Sequence, residues 1–461
     1  MSDNQSAKYL PLTTPQKWLM NETRDFKRRN WVTVENLVKP KLPMNVNAMR
    51  ETVLHLMEKY ESLRVKIISR DGQLVQQIQE ITEIAPFEFH DFSRDSEEAG
   101  REKLKQACIA TRDALLPENG NLIRFVLFRL AGGEERLWLC MHHMVSDFMT
   151  MYLLSNEFIN TYNGLLKGKM PVKEVVYDFR KWLYTVEGYS RDVLVPSELD
   201  YWTSLPWSKA KILPSDFPDQ YPDDQSMIDE FNTRNIATSF IPSCYFLPVE
   251  ESMALFAKQG NELENTLIAV YFLALHEIMK IDWLDINVAY SGRDILPPDY
   301  QVKTNRLMGY IAGTRVVPLA MPQGYDKRSA IEHIIQQIRN VPNKGKGYYL
   351  LTDHLQDSSV AEALSSIRKE PGVLFNYLGR TDVKSSNDQF ALVDEDTARG
   401  FHENEFSVSS LQCFIGVEHG KLFFGFTHCE KWHKAETIER VAQFMMDTLV
   451  EVILEREPIT H

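Results

Sequence analysis

The chain has 461 residues, with 51 Lys and Arg against 64 Asp and Glu, a formal charge of −13 with histidine neutral. Hydrophobic residues make up 44% and charged residues 25%, the balance of a folded chain that can bury a sizeable core and not of a disordered or fibrous one. The length corresponds to about two to three domain-sized units, and the acidic balance argues against a generic nucleic-acid binder, which needs a clustered positive surface.

The five cysteines, Cys108, Cys140, Cys244, Cys413 and Cys429, are odd in number and nowhere spaced as a metal knuckle or a Cys-x-x-Cys pair, which fits a reducing compartment. Residues 1–10 lack the basic start and apolar stretch of a signal peptide, and no run approaches the ~18 apolar residues of a membrane helix. The expected location is the cytoplasm, with neither a membrane nor nucleic acid as partner.

In chain order, Asn45 or Asn47 can cap a helix in which Met49, Val53, Leu56 and Met57 share one face. Leu63 to Ile68 alternates apolar with basic residues and predicts a strand. Leu122 to Leu130 and Arg136 to Met141 are apolar runs separated by Ala131, Gly132, Gly133, Glu134 and Glu135, the pattern of a hairpin. Its second strand delivers the chain into His142 and His143. Ser146 or Asp147 can then cap a helix carrying Met151, Leu154, Phe158, Tyr162 and Leu165 at steps of three and four.

Pro206, Pro214 and Pro218 in a polar stretch mark a crossing between two halves, with the boundary between 185 and 225. In the second half, Glu264 to Met279 and Ser329 to Arg339 predict helices, while Ile286 to Tyr290, Val373 to Leu378 and Leu422 to Thr427 predict strands. No internal repeat or low-complexity tract is present.

The segment richest in chemistry is Cys140-Met141-His142-His143-Met144-Val145-Ser146-Asp147. Adjacent strand residues point to opposite faces, so His142 and His143 cannot serve one site equally if the strand continues through them. An imidazole of pKa near ~6.5 can take and return a proton at neutral pH. By itself His-His-x-x-x-Asp is better read as a packed pair of core histidines than as a catalytic motif; the setting, where a hairpin strand ends and a capped helix begins, shifts the reading toward a site.

In that setting the sequence resembles the condensation-domain superfamily of nonribosomal peptide synthesis, whose signature is His-His-x-x-x-Asp-Gly. The resemblance covers nearly the whole chain. Leu12-Thr13-Thr14-Pro15-Gln16 resembles the family's opening motif, and Tyr60-Glu61-Ser62-Leu63-Arg64 its second. Tyr201-Trp202 resembles the pair after the first lobe, Ser291-Gly292-Arg293 the Gly-Arg motif, and Met308-Gly309-Tyr310-Ile311 the Ile-Gly-x-Phe segment.

The resemblance implies an α/β fold of two chloramphenicol-acetyltransferase-like lobes arranged as a V with a central tunnel, residues 1–185 forming the N-terminal lobe with the histidine motif and 186–461 the C-terminal lobe. It implies that His143 stands at the reaction centre, either abstracting a proton or orienting the amine and stabilising the tetrahedral intermediate, while His142 supports it. Asp147 is then a structural anion whose expected partner is Arg293, because a carboxylate removed from water needs a charged hydrogen-bonding partner.

Two departures stand out. Phe148 replaces the glycine after the aspartate, where it would either narrow the channel or fill a hydrophobic gap. Val373 to Gly379 resembles the Phe-Asn-Tyr-Leu-Gly segment of epimerization domains, but Ala289 occupies the position of their glutamate in the Glu-Gly-His-Gly-Arg motif, and alanine cannot transfer a proton. Asp294 lies on the other side of Arg293 and is a poor replacement. Condensation is favoured.

No adenylation region or carrier motif is recognisable, so the expected enzyme is free-standing and acts in trans. It would bind no cofactor itself and would receive an acyl or peptidyl thioester on the phosphopantetheine arm of a separate carrier protein. The acceptor would be a small amine, less often a hydroxyl, or a second carrier-bound group. The alternatives are a coenzyme A-dependent acyltransferase of the same superfamily, an epimerization-like protein, and an inactive carrier-binding homologue.

Asn376 and Tyr377, with Tyr348 and Tyr349, are candidates to line a channel or to pack in the core. Arg24, Lys27, Arg28 and Arg29 form the densest basic run, either a docking patch for an acidic carrier or a solvated face. His428 and His433 flank Cys429 and Trp432 at a spacing compatible with a metal, but packing is the favoured reading and no metal is expected.

Overall fold

The computed structural model describes residues 8–22, 32–172, 174–209, 212–223, 225–227, 240–300, 302–354, 364, 372–380, 389–393, 395–398 and 409–456. The basic run at Arg24, Lys27, Arg28 and Arg29 lies outside them. The chain divides into two compact units, one of residues 1–188, 291–312 and 384–402, the other of 189–290, 313–383 and 403–461. Two segments of the second half of the sequence thus fold with the first unit.

In the first unit, strands β1 (Tyr9–Pro11), β3 (Val65–Arg70) and β4 (Gln73–Ile78) form an antiparallel sheet in the order β1-β4-β3. A second sheet contains β2 (Thr33–Pro40), β5 (Phe87–Asp91), β6 (Ile123–Arg129), β7 (Glu135–His142) and the short strand Phe390–Leu392, which is β12 in chain order. Its order is β12-β2-β7-β6-β5, with β5 and β6 parallel and the other pairs antiparallel. Every residue of β7 is buried, as expected of a strand covered on both faces, and Leu137 to Met141 are correspondingly all apolar.

The helices of this unit are α1 (Thr14–Glu22), α2 (Val46–Lys59), α3 (Glu97–Asp113), α4 (Phe148–Leu166) and α5 (Asp178–Tyr189). Asn45 caps α2 by accepting from Ala48 N, and Met49, Val53, Leu56 and Met57 are buried along one face. The predicted strand from Leu63 begins two residues later, because Leu63 N donates to Tyr60 O and Arg64 N to Glu61 O, which closes a 3-10 turn over Glu61–Leu63.

A buried ion pair fastens the returning segment. Arg112 on α3 donates to both oxygens of Glu35 on β2 at 2.6 and 2.7 Å, and to the carbonyl and hydroxyl of Thr397 at 2.7 and 3.2 Å. Trp138 Nε1 donates to the same carboxylate. Burial alone would raise the Glu35 carboxyl, but the Arg112, Thr33 and Trp138 donors hold it below the usual range. Arg136 adds a 2.6 Å contact to Glu395.

The second unit is built on a mixed sheet of β8 (Phe240–Leu247), β9 (Trp283–Tyr290), β10 (Gly313–Ala320), β11 (Gly372–Arg380), β13 (Ser409–Glu418) and β14 (Lys421–Cys429), in the order β10-β9-β11-β13-β14-β8. Strand β11 runs parallel to both β9 and β13, and the other pairs are antiparallel. Helices α6 (Val195–Ser204), α7 (Val249–Gln259), α8 (Leu263–Met279), α9 (Lys327–Asn340), α10 (Gly347–His354) and α11 (Ala435–Thr448) accompany it. Residues Leu267 to Leu275 of α8 are all buried, so this helix is apolar all round and lies within the core.

His428 and His433 are both buried in this unit, and among the described residues none of their four ring nitrogens has a hydrogen-bond partner. Burial lowers both pKa values, that of His433 to about 4, with Asp216 acting in the opposite direction on each, Glu430 also raising His428, and His428 lowering His433 further. Both rings are therefore neutral packing groups at pH 7.

Two outcomes follow from this burial. Arg112→Leu leaves Glu35 charged and unpaired in the interior, so urea unfolding should show a loss of about 3–5 kcal/mol. Because the folded pKa of His433 lies below its unfolded value of about 6.5, the unfolded chain binds the extra proton first, so stability present above that pH falls on acidification. The loss accumulates as pH drops from about 6.5 to about 4 and reaches about 3 kcal/mol for this ring. Denaturation curves across that range should show a shallower pH dependence in His433→Leu than in the wild type.

Candidate active site

Strand β7 carries the chain into the site and stops there. His142 is its last residue and is 0% exposed. His143 opens a single 3-10 turn, His143–Val145, and α4 starts at Phe148. The change of backbone resolves the constraint set by strand alternation, because only His142 remains in the strand. Its Nδ1 accepts from Met144 N at 2.9 Å and caps the turn.

His143 is half-buried. Its Nδ1 lies 3.0 Å from the Ser146 carbonyl oxygen. A carbonyl only accepts, so Nδ1 carries the proton and, in the neutral ring, the lone pair is on Nε2. Burial lowers the imidazole pKa below its ordinary value, with the Ser146 hydrogen bond and the Asp147 charge acting in the opposite direction. The ring is thus neutral at pH 7 and able to accept a proton at Nε2. Tyr310 faces it, with ring centroids 5.2 Å apart, and burial pushes the Tyr310 hydroxyl pKa well up.

Asp147, rather than Ser146, caps α4: its Oδ1 accepts from Thr150 N at 2.7 Å. The carboxylate is 2% exposed and takes five hydrogen bonds, the others being two from Arg293 at 3.0 Å each and one each from Ile311 N and Ala312 N at 3.2 and 3.0 Å. Arg293 is the expected partner, in bidentate geometry, and its Nη2 also reaches Thr150 Oγ1 and the Leu307 carbonyl. With both oxygens occupied, Asp147 ties the start of α4 to Arg293 and to the backbone at Ile311 and Ala312.

The two glycine motifs are explained by this packing. At Gly292, with φ of 70°, a Cβ would stand 2.0 Å from the Ile311 carbonyl oxygen; at Gly309, with φ of 143°, it would stand 2.6 Å from the Phe179 ring. Neither space nor backbone conformation admits a side chain there. Thr150 Oγ1 donates to Gly309 O at 2.8 Å and accepts from Gly309 N at 3.0 Å.

Phe148 is 75% exposed, so of its two anticipated roles the filling of a hydrophobic gap is excluded. Tyr377 leans on the core of the second unit, on the strand face shared with Val373 and Phe375, whereas Asn376 faces the other way. Tyr348 is buried and donates to the Leu364 carbonyl, while Tyr349 donates to Asn287. Ala289 lies on β9 on the face opposite Val288.

Sequence reasoning gave no role to Thr150 or Gln16. Gln16 Nε2 donates to the Met144 carbonyl, inside the histidine turn, at 2.7 Å. Glu61, within the second motif, forms a buried ion pair with Arg180 at 2.8 and 3.0 Å. A cavity of about 1050 Å³ in the first unit is walled by Tyr177, Arg180, Tyr184, Lys303 and Arg306 and does not include His143. Among the described residues no group of three or more His, Cys, Asp or Glu is arranged to hold a metal ion, and no helix is long and apolar enough to cross a membrane.

The family model of the condensation domain matches residues 6–457. Gramicidin S synthase 1 of Brevibacillus brevis is 23% identical over 416 residues, which is 86% of this chain and 36% of that protein. Tyrocidine synthase 1 of Brevibacillus parabrevis is 23% identical over 461 residues, 96% of this chain and 40% of that protein. The chain therefore spans less than half the length of these relatives.

Among solved structures, the epimerization domain from the third module of tyrocidine synthetase B superposes with a TM-score of 0.79 at 20% identity, covering 97% of this chain and 98% of that one. A starter condensation domain of rhizomide synthetase in complex with C8-CoA gives 0.67 at 14% identity, covering 98% and 96%. The α/β fold is shared with both. By the extent of the family match, the chain belongs to the condensation-domain family of nonribosomal peptide synthesis.

Proposed function

We propose that the protein is a condensation enzyme that joins an acyl or peptidyl thioester, carried on the phosphopantetheine arm of a carrier protein supplied in trans, to an amine acceptor. With a hydroxyl acceptor the product is an ester. The two compact units stand for the two chloramphenicol-acetyltransferase-like lobes. The observation that carries the reading is the 3.0 Å contact between His143 Nδ1 and the Ser146 carbonyl oxygen, which assigns the proton to Nδ1 and leaves Nε2 to accept one.

In this reaction the acceptor nitrogen attacks the thioester carbonyl carbon and Nε2 of His143 takes the proton that the nitrogen loses. The tetrahedral intermediate then expels the thiolate, which leaves as thiol with that proton. A base in this role contributes about 10²–10⁴ in rate, and the burial of the ring keeps it unprotonated without a separate deprotonation step.

The Phe375 to Gly379 segment and the tyrocidine-domain superposition favour epimerization as a second reading. Against it stands Ala289, which offers no second acid or base across an α-carbon.

Purified chain, a loaded carrier protein and an amine should yield an amide detectable by mass spectrometry, with coenzyme A thioesters as the competing donors. His143→Ala should lower the rate by about 10²–10⁴ while circular dichroism stays unchanged; equal rates in the two proteins would sink the proposal and leave the carrier-binding role. Deuterium entering the α-carbon of an aminoacyl carrier in D₂O would establish epimerization instead. Because the folded imidazole pKa is lowered, the rate should hold as pH falls through about 6.5 and decline only at more acid pH.

A further inference from the structure

The opening motif lies more than a hundred residues from the histidines in sequence, yet its polar side chains end on the two walls around the imidazole. Gln16 is 1% exposed, and its Nε2 donates to the Met144 carbonyl at 2.7 Å and to Gln76 Oε1 at 2.9 Å. Gln76 in turn donates to the Pro11 carbonyl at 2.7 Å, which fixes the carboxamide from behind. Met144 is the middle residue of the 3-10 turn that begins with His143.

Thr13 is also 1% exposed and holds the opposite wall: its Oγ1 donates to the Tyr310 carbonyl at 2.9 Å. The two residues are locked together, since Thr13 N donates to Gln16 Oε1 at 2.8 Å and Gln16 N to Thr13 Oγ1 at 3.2 Å. The connection therefore runs from the Tyr310 backbone through Thr13 and Gln16 to the His143 turn, while the Tyr310 and His143 rings face each other.

We propose that Thr13 and Gln16 are positioning residues that set the separation of His143 from Tyr310 and hold the turn in which Ser146 O selects the Nδ1–H tautomer. Thr13, Gln16 and Met144 are buried, so the bond from Gln16 to the turn is made in a low-dielectric site where geometry is strongly enforced. If the turn relaxes, the Nδ1 contact to Ser146 O lengthens, the neutral ring is free to exchange tautomers, and Nε2 loses its lone pair for part of the time. A shift of about 1 Å at a reacting group is enough to cost about a hundredfold in rate.

This inference rests on the reading of His143 as the proton acceptor, and its test has an arm that does not depend on turnover. In the full chain labelled with ¹⁵N-histidine, the His143 signals, identified by their absence in His143→Gln, should report the Nδ1–H form. In Gln16→Ala they should shift toward a tautomer mixture. The amide-forming kcat should fall by about tenfold to a hundredfold, with the KM for the carrier-bound donor changed by less than about twofold.

Thr13→Val, which keeps the volume and loses the hydroxyl, should behave like Gln16→Ala, and Thr13→Ser should restore both tautomer and kcat. A folded Gln16→Ala with wild-type tautomer and rate overturns the proposal, as does a Thr13→Ser protein no better than Thr13→Val. If Gln16→Ala does not fold, the Thr13 pair decides. If the wild type forms no amide, the ¹⁵N spectra still decide the positioning role while the condensation reading falls.

Discussion

A carboxylate taken out of water, that of Asp147, is the constraint on which the histidine-bearing end of the first unit depends. An isolated buried charge is too costly to persist, so five donors converge on it from three stretches of chain: Thr150 N, the Arg293 fork, and the amides of Ile311 and Ala312. Satisfying one anion therefore fixes the start of α4, the Gly-Arg motif and the segment behind Tyr310 at once. The arginine matters for its planar fork, which matches the carboxylate at two points where a lysine offers a single charge.

The junction of strand, 3-10 turn and helix gives two neighbouring histidines opposite fates. His142 ends in the strand, entirely buried, and spends Nδ1 on the Met144 amide. One residue later the backbone has left the strand, and the His143 ring turns to the Ser146 carbonyl instead. The same short loop thus holds one ring by an acceptor nitrogen and the next by a donor nitrogen, and the difference between them is local backbone geometry and not side-chain chemistry.

The second unit shows how similar residues are held differently when the surroundings differ. His428 and His433 are buried without partners among the described residues, and desolvation keeps them neutral. Likewise the Glu35 carboxylate is enclosed and paired with an arginine, but its Arg112 partner ties it to Thr397 and the returning strand, a fastening role for the fold.

Much of this was legible in the sequence. Apolar alternation and glycines marked the β6–β7 hairpin and three-and-four spacing marked α2 and α4, while the resemblance to the family's Gly-Arg motif, with the need of a buried carboxylate for a cationic donor, led to Arg293 as the partner of Asp147. The sequence also distinguished the two histidines in principle, through strand alternation, but not which bond each nitrogen would make. That depended on where β7 stops, a boundary decided by the Met144 and Ser146 hydrogen bonds. Tertiary structure alone brought Gln16, Thr13 and Thr150 to the site and returned residues 291–312 and 384–402 to the first unit. Spacing along a chain encodes periodic faces and local caps, whereas contacts between segments hundreds of residues apart leave no periodic trace and exist only once the core has packed.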